Sequence, residues 1–358
     1  MERFAEGARA TRAAAGGAGT STDLVGIDPA AADAGEAGDS PAEEEAGGAH
    51  LVVFVHGLEG DRRDLRTLRD ELVMCDYGIY VLESERNEGA TRESIRVQGA
   101  RLAAEVADFA AEHFAGDDEG SGAEREEAMS PGGRGPRPRL GKITFVAHSM
   151  GSVVARVAVR EAAMAPLRPR LWALVSLSGP HLGLTPDTAP LLHIGVSCLS
   201  VGRKGSLTEL RRRDGGGARG RALLVEQAAG GGGLELFRHV VILYSKQDKF
   251  VPLASSCIAM DTVARSAFEA RERGGCCSGR ASKAKIRAWE ETAAMQTQIV
   301  TGLHEAGVKV HLCEVTFPGL GGMMRDTLLG RQAHVEFLEN KSMAHELVWG
   351  VLWPAEII

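Results

Sequence analysis

The stretch KITFVAHSMGSVVARVAV (142–159) constrains this chain more than any other. An apolar, β-branched run meets the small residue Ala147, then His148, Ser149, Met150 and Gly151, and an amphipathic helical pattern begins at once. Joining a buried strand to a helix in so few residues forces a sharp turn, which lifts the serine above the sheet in a strained conformation. A hydroxyl displayed in that way is suited to nucleophilic attack. Ala147 and Gly151, two residues before and two after Ser149, are small enough to let strand and helix approach; Ala147 stands where the pattern has Gly. The plainer reading of Ser149 is a helix N-cap that satisfies orphan backbone donors. A second match to the pattern, Gly38 to Ala42, has no strand before it and no helix after it.

The blocks around this stretch alternate between strand-like and helix-like patterns, the signature of an α/β fold with a mostly parallel sheet. LVVFVHG (51–57), GIYVLES (78–84), KITFVAHS (142–149), LWALVSLSG (171–179), HVVILYSK (239–246) and VKVHLCEVTF (308–317) read as buried strands. Residues 91–114 carry Ile95, Leu102, Val106 and Phe109 at helical spacing, and SVVARVAVREAA (152–163) is a second helix. Residues 1–49, dominated by Ala, Gly, Asp and Glu, are expected to be a disordered acidic tail. The folded domain is expected over 50–358, with insertions near 115–141, 184–236 and 270–300.

Composition narrows the partners. Lys plus Arg is 41 and Asp plus Glu is 48, for a net charge of -7, which disfavours nucleic acid. Six cysteines without a CxxC pair or a spaced framework suggest reduced thiols. No apolar run reaches the roughly 20 residues of a membrane-spanning helix. The N-terminal residues lack the pattern of a secretory signal. An intracellular, cytoplasmic protein is the expectation, with organelle targeting left open.

Three further features point to the same chemistry. His56-Gly57 closes the first strand, and the amide of the following Leu58, together with that of Met150, could hold a developing oxyanion; the plainer reading of His-Gly is an ordinary turn. Asp248 follows a strand directly in VVILYSKQDKFVP and can orient an imidazole, although a turn aspartate would also bond its own backbone. Four histidines follow it: His304, His311, His334 and His345. His334 lies between the last strand and the last helix, whereas His345 sits in a helical pattern, so His334 is the candidate base. His148 is too close to Ser149 in sequence to serve as its base and is expected to pack beneath the turn. The order Ser149, Asp248, His334 then matches a Ser-Asp-His triad. Phosphate-loop, dinucleotide and metal-ligand patterns fail, so no metal and no organic cofactor are expected.

In combination, HLVVFVHGLEGDRRDLR (50–66), ITFVAHSMG (143–151), LVSLSGPHLG (174–183), VVILYSKQDKFVP (240–252) and LLGRQAHVEFLE (328–339) resemble the eukaryotic "putative serine esterase" lipase-like family of α/β-hydrolases. The resemblance implies an intracellular acyl-ester hydrolase acting on lipid or other esters through Ser149, Asp248 and His334. A catalytically silent scaffold of the same fold, and an acyltransferase or thioesterase using the same triad, are the alternatives. Residues 184–213 combine the uncharged LLHIGVSCLSVG (191–202) with Arg203, Lys204, Arg211, Arg212 and Arg213. That pairing is compatible with a lid that meets a membrane or lipid surface, and equally with a packed helix followed by a solvated loop.

Overall fold

The computed structural model describes residues 23–27, 48–75, 78–116, 137–184, 205–214, 222–259, 283–318 and 326–358. Its strands are β1 (Asp23–Ile27), β2 (Ala49–Val55), β3 (Ile79–Glu83), β4 (Leu140–His148), β5 (Leu171–Leu177), β6 (His239–Tyr244) and β7 (Lys309–Thr316). They form one sheet in the order β1-β7-β6-β5-β4-β2-β3. β2 to β7 are parallel, and β1 runs antiparallel along β7 with Asp23 opposite Thr316 and Ile27 opposite Leu312.

All six expected strands are present; β2, β4, β5 and β6 are buried along most of their length because both faces of the sheet are covered there, whereas β3 and β7, nearer the sheet's edges, are mostly half-buried. Successive β2 residues divide between the faces: Leu51, Val53 and Val55 join one core cluster, Val52 and Phe54 the other. The first cluster holds α2 (Ile95–His113) and α3 (Met150–Ala158); the second holds α1 (Arg66–Cys75). Every residue of α3 is buried, as suits a helix that is apolar nearly all round.

The topology selects one place for a site. From β2 the chain moves outward to β3, then crosses back to β4 on the other side of β2 and continues away through β5, β6 and β7. Connections leaving the neighbours β2 and β4 therefore diverge, and a crevice opens beyond their carboxyl ends. His56-Gly57 closes one of these strands and Ser149 the other.

The structure differs from the sequence reading in four places. The acidic tail is not wholly outside the fold, because Asp23–Ile27 supplies the edge strand β1. In the 184–236 insertion, α4 (Ser206–Leu210) and α5 (Leu223–Ala228) are packed pieces whose Leu210, Leu223 and Leu224 belong to the first core cluster. α6 (Leu253–Ser256) follows the turn after β6, and the described part of the segment near 270–300 belongs to α7 (Lys283–Glu305), whose Met295, Ile299 and Leu303 line the same cluster at helical spacing. Finally, His334 lies inside α8 (Asp326–Glu339), with α9 (Lys341–Leu347) after it; Ala333 and Phe337 dock α8 on the second cluster. Of the 115–141 insertion, 117–136 lies outside the described residues; β4 already begins at Leu140.

Candidate active site

Ser149 has φ 52° and ψ −126°, a left-handed conformation that a side chain adopts at a cost of about 1–3 kcal/mol. Neighbouring backbone holds it there: its amide donates to Leu177 O at 2.8 Å and its carbonyl accepts from Ser152 N at 3.1 Å. Ser149 occupies the N-cap position of α3, yet its side chain makes no capping hydrogen bond. The hydroxyl is used elsewhere.

Close approach explains the small residues. A Cβ on Gly151 would lie 2.5 Å from His56 O and 2.6 Å from Val55 O, so α3 can cross the end of β2 only with glycine at that position. A Cβ on Gly57 would lie 3.1 Å from Ser149 Cβ, which sets the His56–Leu58 loop against the serine. Ala147 is fully buried between Val55 of β2 and Ser176 of β5, and its methyl group fills part of the first core cluster. His56 is buried, with Nδ1 3.1 Å from Gly57 O.

The hydroxyl of Ser149 meets His334 Nε2 at 2.9 Å, and His334 Nδ1 meets Asp248 Oδ2 at 2.6 Å. These three residues come from the β4–α3 turn, the turn after β6, and α8. A carboxylate can only accept, so Nδ1 carries the imidazole proton and Nε2 is left free to accept from Ser149. Asp248 is held on every side. Its Oδ2 also accepts from Ser178 Oγ, and its Oδ1 accepts from the amides of Phe250 at 2.7 Å and Val251 at 3.3 Å. Burial pushes its carboxyl up. The His334 charge and the donated hydrogen bonds outweigh that and keep it below the ordinary value of 3.8.

Two residues with no assigned role in the sequence reading, Ser178 and Gln247, complete this arrangement together with His148. Ser178, buried just past β5 with φ 49°, presents its hydroxyl to Asp248. Gln247 spans the ends of β6 and β7, donating from Nε2 to Phe317 O at 3.0 Å and accepting from Phe317 N at 2.7 Å. Its amide thus prolongs the strand pairing next to Asp248. His148 packs beside the serine turn, and its Nε2 lies 3.1 Å from His334 O. A polar residue just beyond a strand end was the available signal for Ser178 and Gln247; nothing local marked their partners.

The other three histidines after Asp248 sit apart. His345 is on α9, largely exposed, with Nδ1 3.3 Å from Glu71. His311 on β7 lies beside His239, and His304 is exposed near the end of α7. The basic cluster proposed for a lid is not one exposed face. The Arg212 side chain is only 4% exposed, faces Glu291 at 3.5 Å and donates to Ala288 O, while Arg213 is exposed. The stretch 191–202 and residues Arg203 and Lys204 lie outside the described residues. Among the described residues no helix is long and apolar enough to cross a membrane.

A family model described as "Putative serine esterase (DUF676)" matches residues 45–259, more than half of the chain. The chain belongs to this family. The match takes in the Ser149 and Asp248 turns and ends before α8. The sheet order and the helices on both faces are those of an α/β-hydrolase. Similar solved structures include Aspergillus fumigatus lipase B, at 13% identity over 59% of this chain and 41% of that one, with a TM-score of 0.38. An esterase of Pyrococcus furiosus matches at 13% identity over 95% of this chain and 93% of that one, with a TM-score of 0.37. A lipase-esterase related protein from Clostridium acetobutylicum matches at 14% identity over 84% and 93%, with a TM-score of 0.36. The chain spans less than half the length of the Aspergillus lipase.

Proposed function

We propose that this protein is a serine hydrolase that cleaves carboxylic esters, lipid esters foremost, through an acyl-enzyme on Ser149. The observation that carries the reading is the continuous relay from Asp248 through His334 to the Ser149 hydroxyl. Membership of a serine esterase family supports hydrolase chemistry in general. The lipase-like resemblance of the sequence favours lipid esters as the substrate class.

In this mechanism Ser149 Oγ attacks the ester carbonyl while its proton passes to His334 Nε2. Asp248 balances the imidazolium that forms. The oxyanion is held by the amides of Met150, which follows the serine, and of Leu58, which follows Gly57, where an added Cβ would lie 3.1 Å from Ser149 Cβ. Collapse of the tetrahedral adduct breaks the ester C–O bond, and His334 returns its proton to the leaving alkoxide. A water molecule, deprotonated by the same Nε2, then attacks the acyl-enzyme, and the proton passes back to Ser149 as the acid is released.

A fluorophosphonate probe tests the reading. Wild type should be labelled at Ser149 and should turn over p-nitrophenyl esters; Ser149→Ala, folded to the same Tm within a few degrees, should do neither. Failure of the wild type to label, or label found on another residue, would sink the assignment. Comparing vesicle-borne with soluble short-chain esters tests the preference for lipid.

A further inference from the structure

The two hydrogen bonds of the His334 imidazole lie in the plane of its ring, one to Asp248 and one to Ser149. They fix the two nitrogens of the ring, and the rings packed against it restrict its remaining tilt. Phe250 stacks nearly parallel to it, with ring centroids 5.5 Å apart and planes 18° apart. His148 lies against His334 with ring centroids 4.7 Å apart and planes at 47°.

Each neighbour is tied to another member of the triad. His148 immediately precedes Ser149 in sequence, and its Nε2 is 3.1 Å from the backbone carbonyl of His334. Phe250 follows Asp248 by two residues, and its amide donates to Asp248 Oδ1 at 2.7 Å. His334 itself rides on a helix packed outside the sheet, so its position relative to the sheet depends on such cross-links. We propose that His148 and Phe250 are positioning residues that clamp the His334 imidazole by ring contact, so that the flanks of the nucleophile and of the acid set the place of the base. This rests on the triad reading above.

The hydrogen bond also fixes the protonation of His148. A carbonyl oxygen only accepts, so Nε2 carries the proton of the neutral ring. Burial, and next the His334 charge, push its pKa down to about 3, with Asp248 the nearby opposing charge. His148 therefore stays neutral across the working range and places no second cation against the imidazolium that forms on His334. A clamp made of a neutral ring and a phenyl ring restrains the base without opposing its charging.

The test compares wild type with His148→Leu, His148→Gln and Phe250→Ala. Leu removes the donor; Gln places an amide N–H near the position of Nε2; Phe250 is half-buried, so its truncation leaves the core intact. The readouts are the fluorophosphonate labelling rate, kcat and KM for a p-nitrophenyl ester, Tm, and the low-field proton resonance of the His334–Asp248 hydrogen bond. His148→Leu and Phe250→Ala should lower labelling and kcat by about 10–100-fold with KM changed less than about threefold, because small misplacements of a reacting group cost rate rather than binding. Their low-field resonance should broaden, and His148→Gln should recover to within about fivefold of wild type. If His148→Leu and His148→Gln lost activity equally while the resonance stayed sharp, the residue would be mere packing and the clamp would be refuted. Wild-type activity in all three variants would refute it as well. The resonance is read without substrate. An unreactive wild type would therefore overturn the proposed function while the clamp was still judged by its own signal.

Discussion

Gly151→Ala adds a single methyl group at a point where the backbone leaves it no room. The new Cβ would sit 2.5 Å from His56 O and 2.6 Å from Val55 O, whereas ordinary contact begins near 3.4 Å, so about 0.9 Å of movement is needed. β2 cannot supply that movement, because it is hydrogen-bonded to β3 on one side and to β4 on the other. The first turn of α3 must lift instead. Overpacking of this kind costs about 1–3 kcal/mol, which lowers Tm by about 2–4 °C for each kcal/mol in a domain of this size. The larger effect is on rate. Ser149 and Met150 ride on the displaced turn while Leu58 stays with β2, so the nucleophile moves away from one of its proposed oxyanion donors. A misplacement near 1 Å costs about 100-fold in catalysis. Calorimetry and the fluorophosphonate labelling rate measure the two effects on the same sample. A variant that labelled within twofold of wild type with an unchanged Tm would refute the argument from close approach.

Three other perturbations follow from the same geometry. Asp248→Asn should lower kcat by about 10,000-fold, since an amide facing His334 favours the wrong tautomer. It should also flatten the acid end of the stability curve. The depressed Asp248 pKa stabilises the fold above the ordinary 3.8 and ceases to do so as pH falls through the lower folded value, so acid unfolding followed by circular dichroism should lose that component in the variant. His334→Ala should match the loss of Ser149→Ala in ester turnover, whereas His345→Ala, on an exposed side chain, should stay within a few-fold of wild type; the reverse order would exchange the base. Arg212→Ser should destabilise the fold by about 1–3 kcal/mol in urea titration, because it removes a buried cation and the bond to Ala288 O. Arg213→Ser should change stability by less than about 0.5 kcal/mol, and equal effects at the two positions would contradict the inward placement of Arg212.

The sequence by itself determined the six apolar strands, the turn that displays Ser149 and the strand-end position of Asp248. Each depends on a pattern only a few residues long: a run covered on both faces, or a strand meeting a helix across small residues. Tertiary structure decided the rest. Asp23–Ile27 becomes a strand because β7 offers an open antiparallel edge, a partner almost 300 positions away that no local pattern names. His334, which the sequence places between the last strand and the last helix, is delivered by a helix of its own, since what matters is where α8 docks on the second core cluster rather than how the backbone coils at that point. Arg212 reads as one more charge in a basic run, yet turns inward to Glu291 because α7 packs against that segment. Ser178, Gln247, His148 and Phe250 acquire their roles across separations of 70 residues or more. Hydrophobic periodicity encodes which side of an element is buried, and that is a local property. Which donor then faces which acceptor is settled only when the layers close, because hydrogen bonds are short and directional while the pattern that brings the layers together is neither.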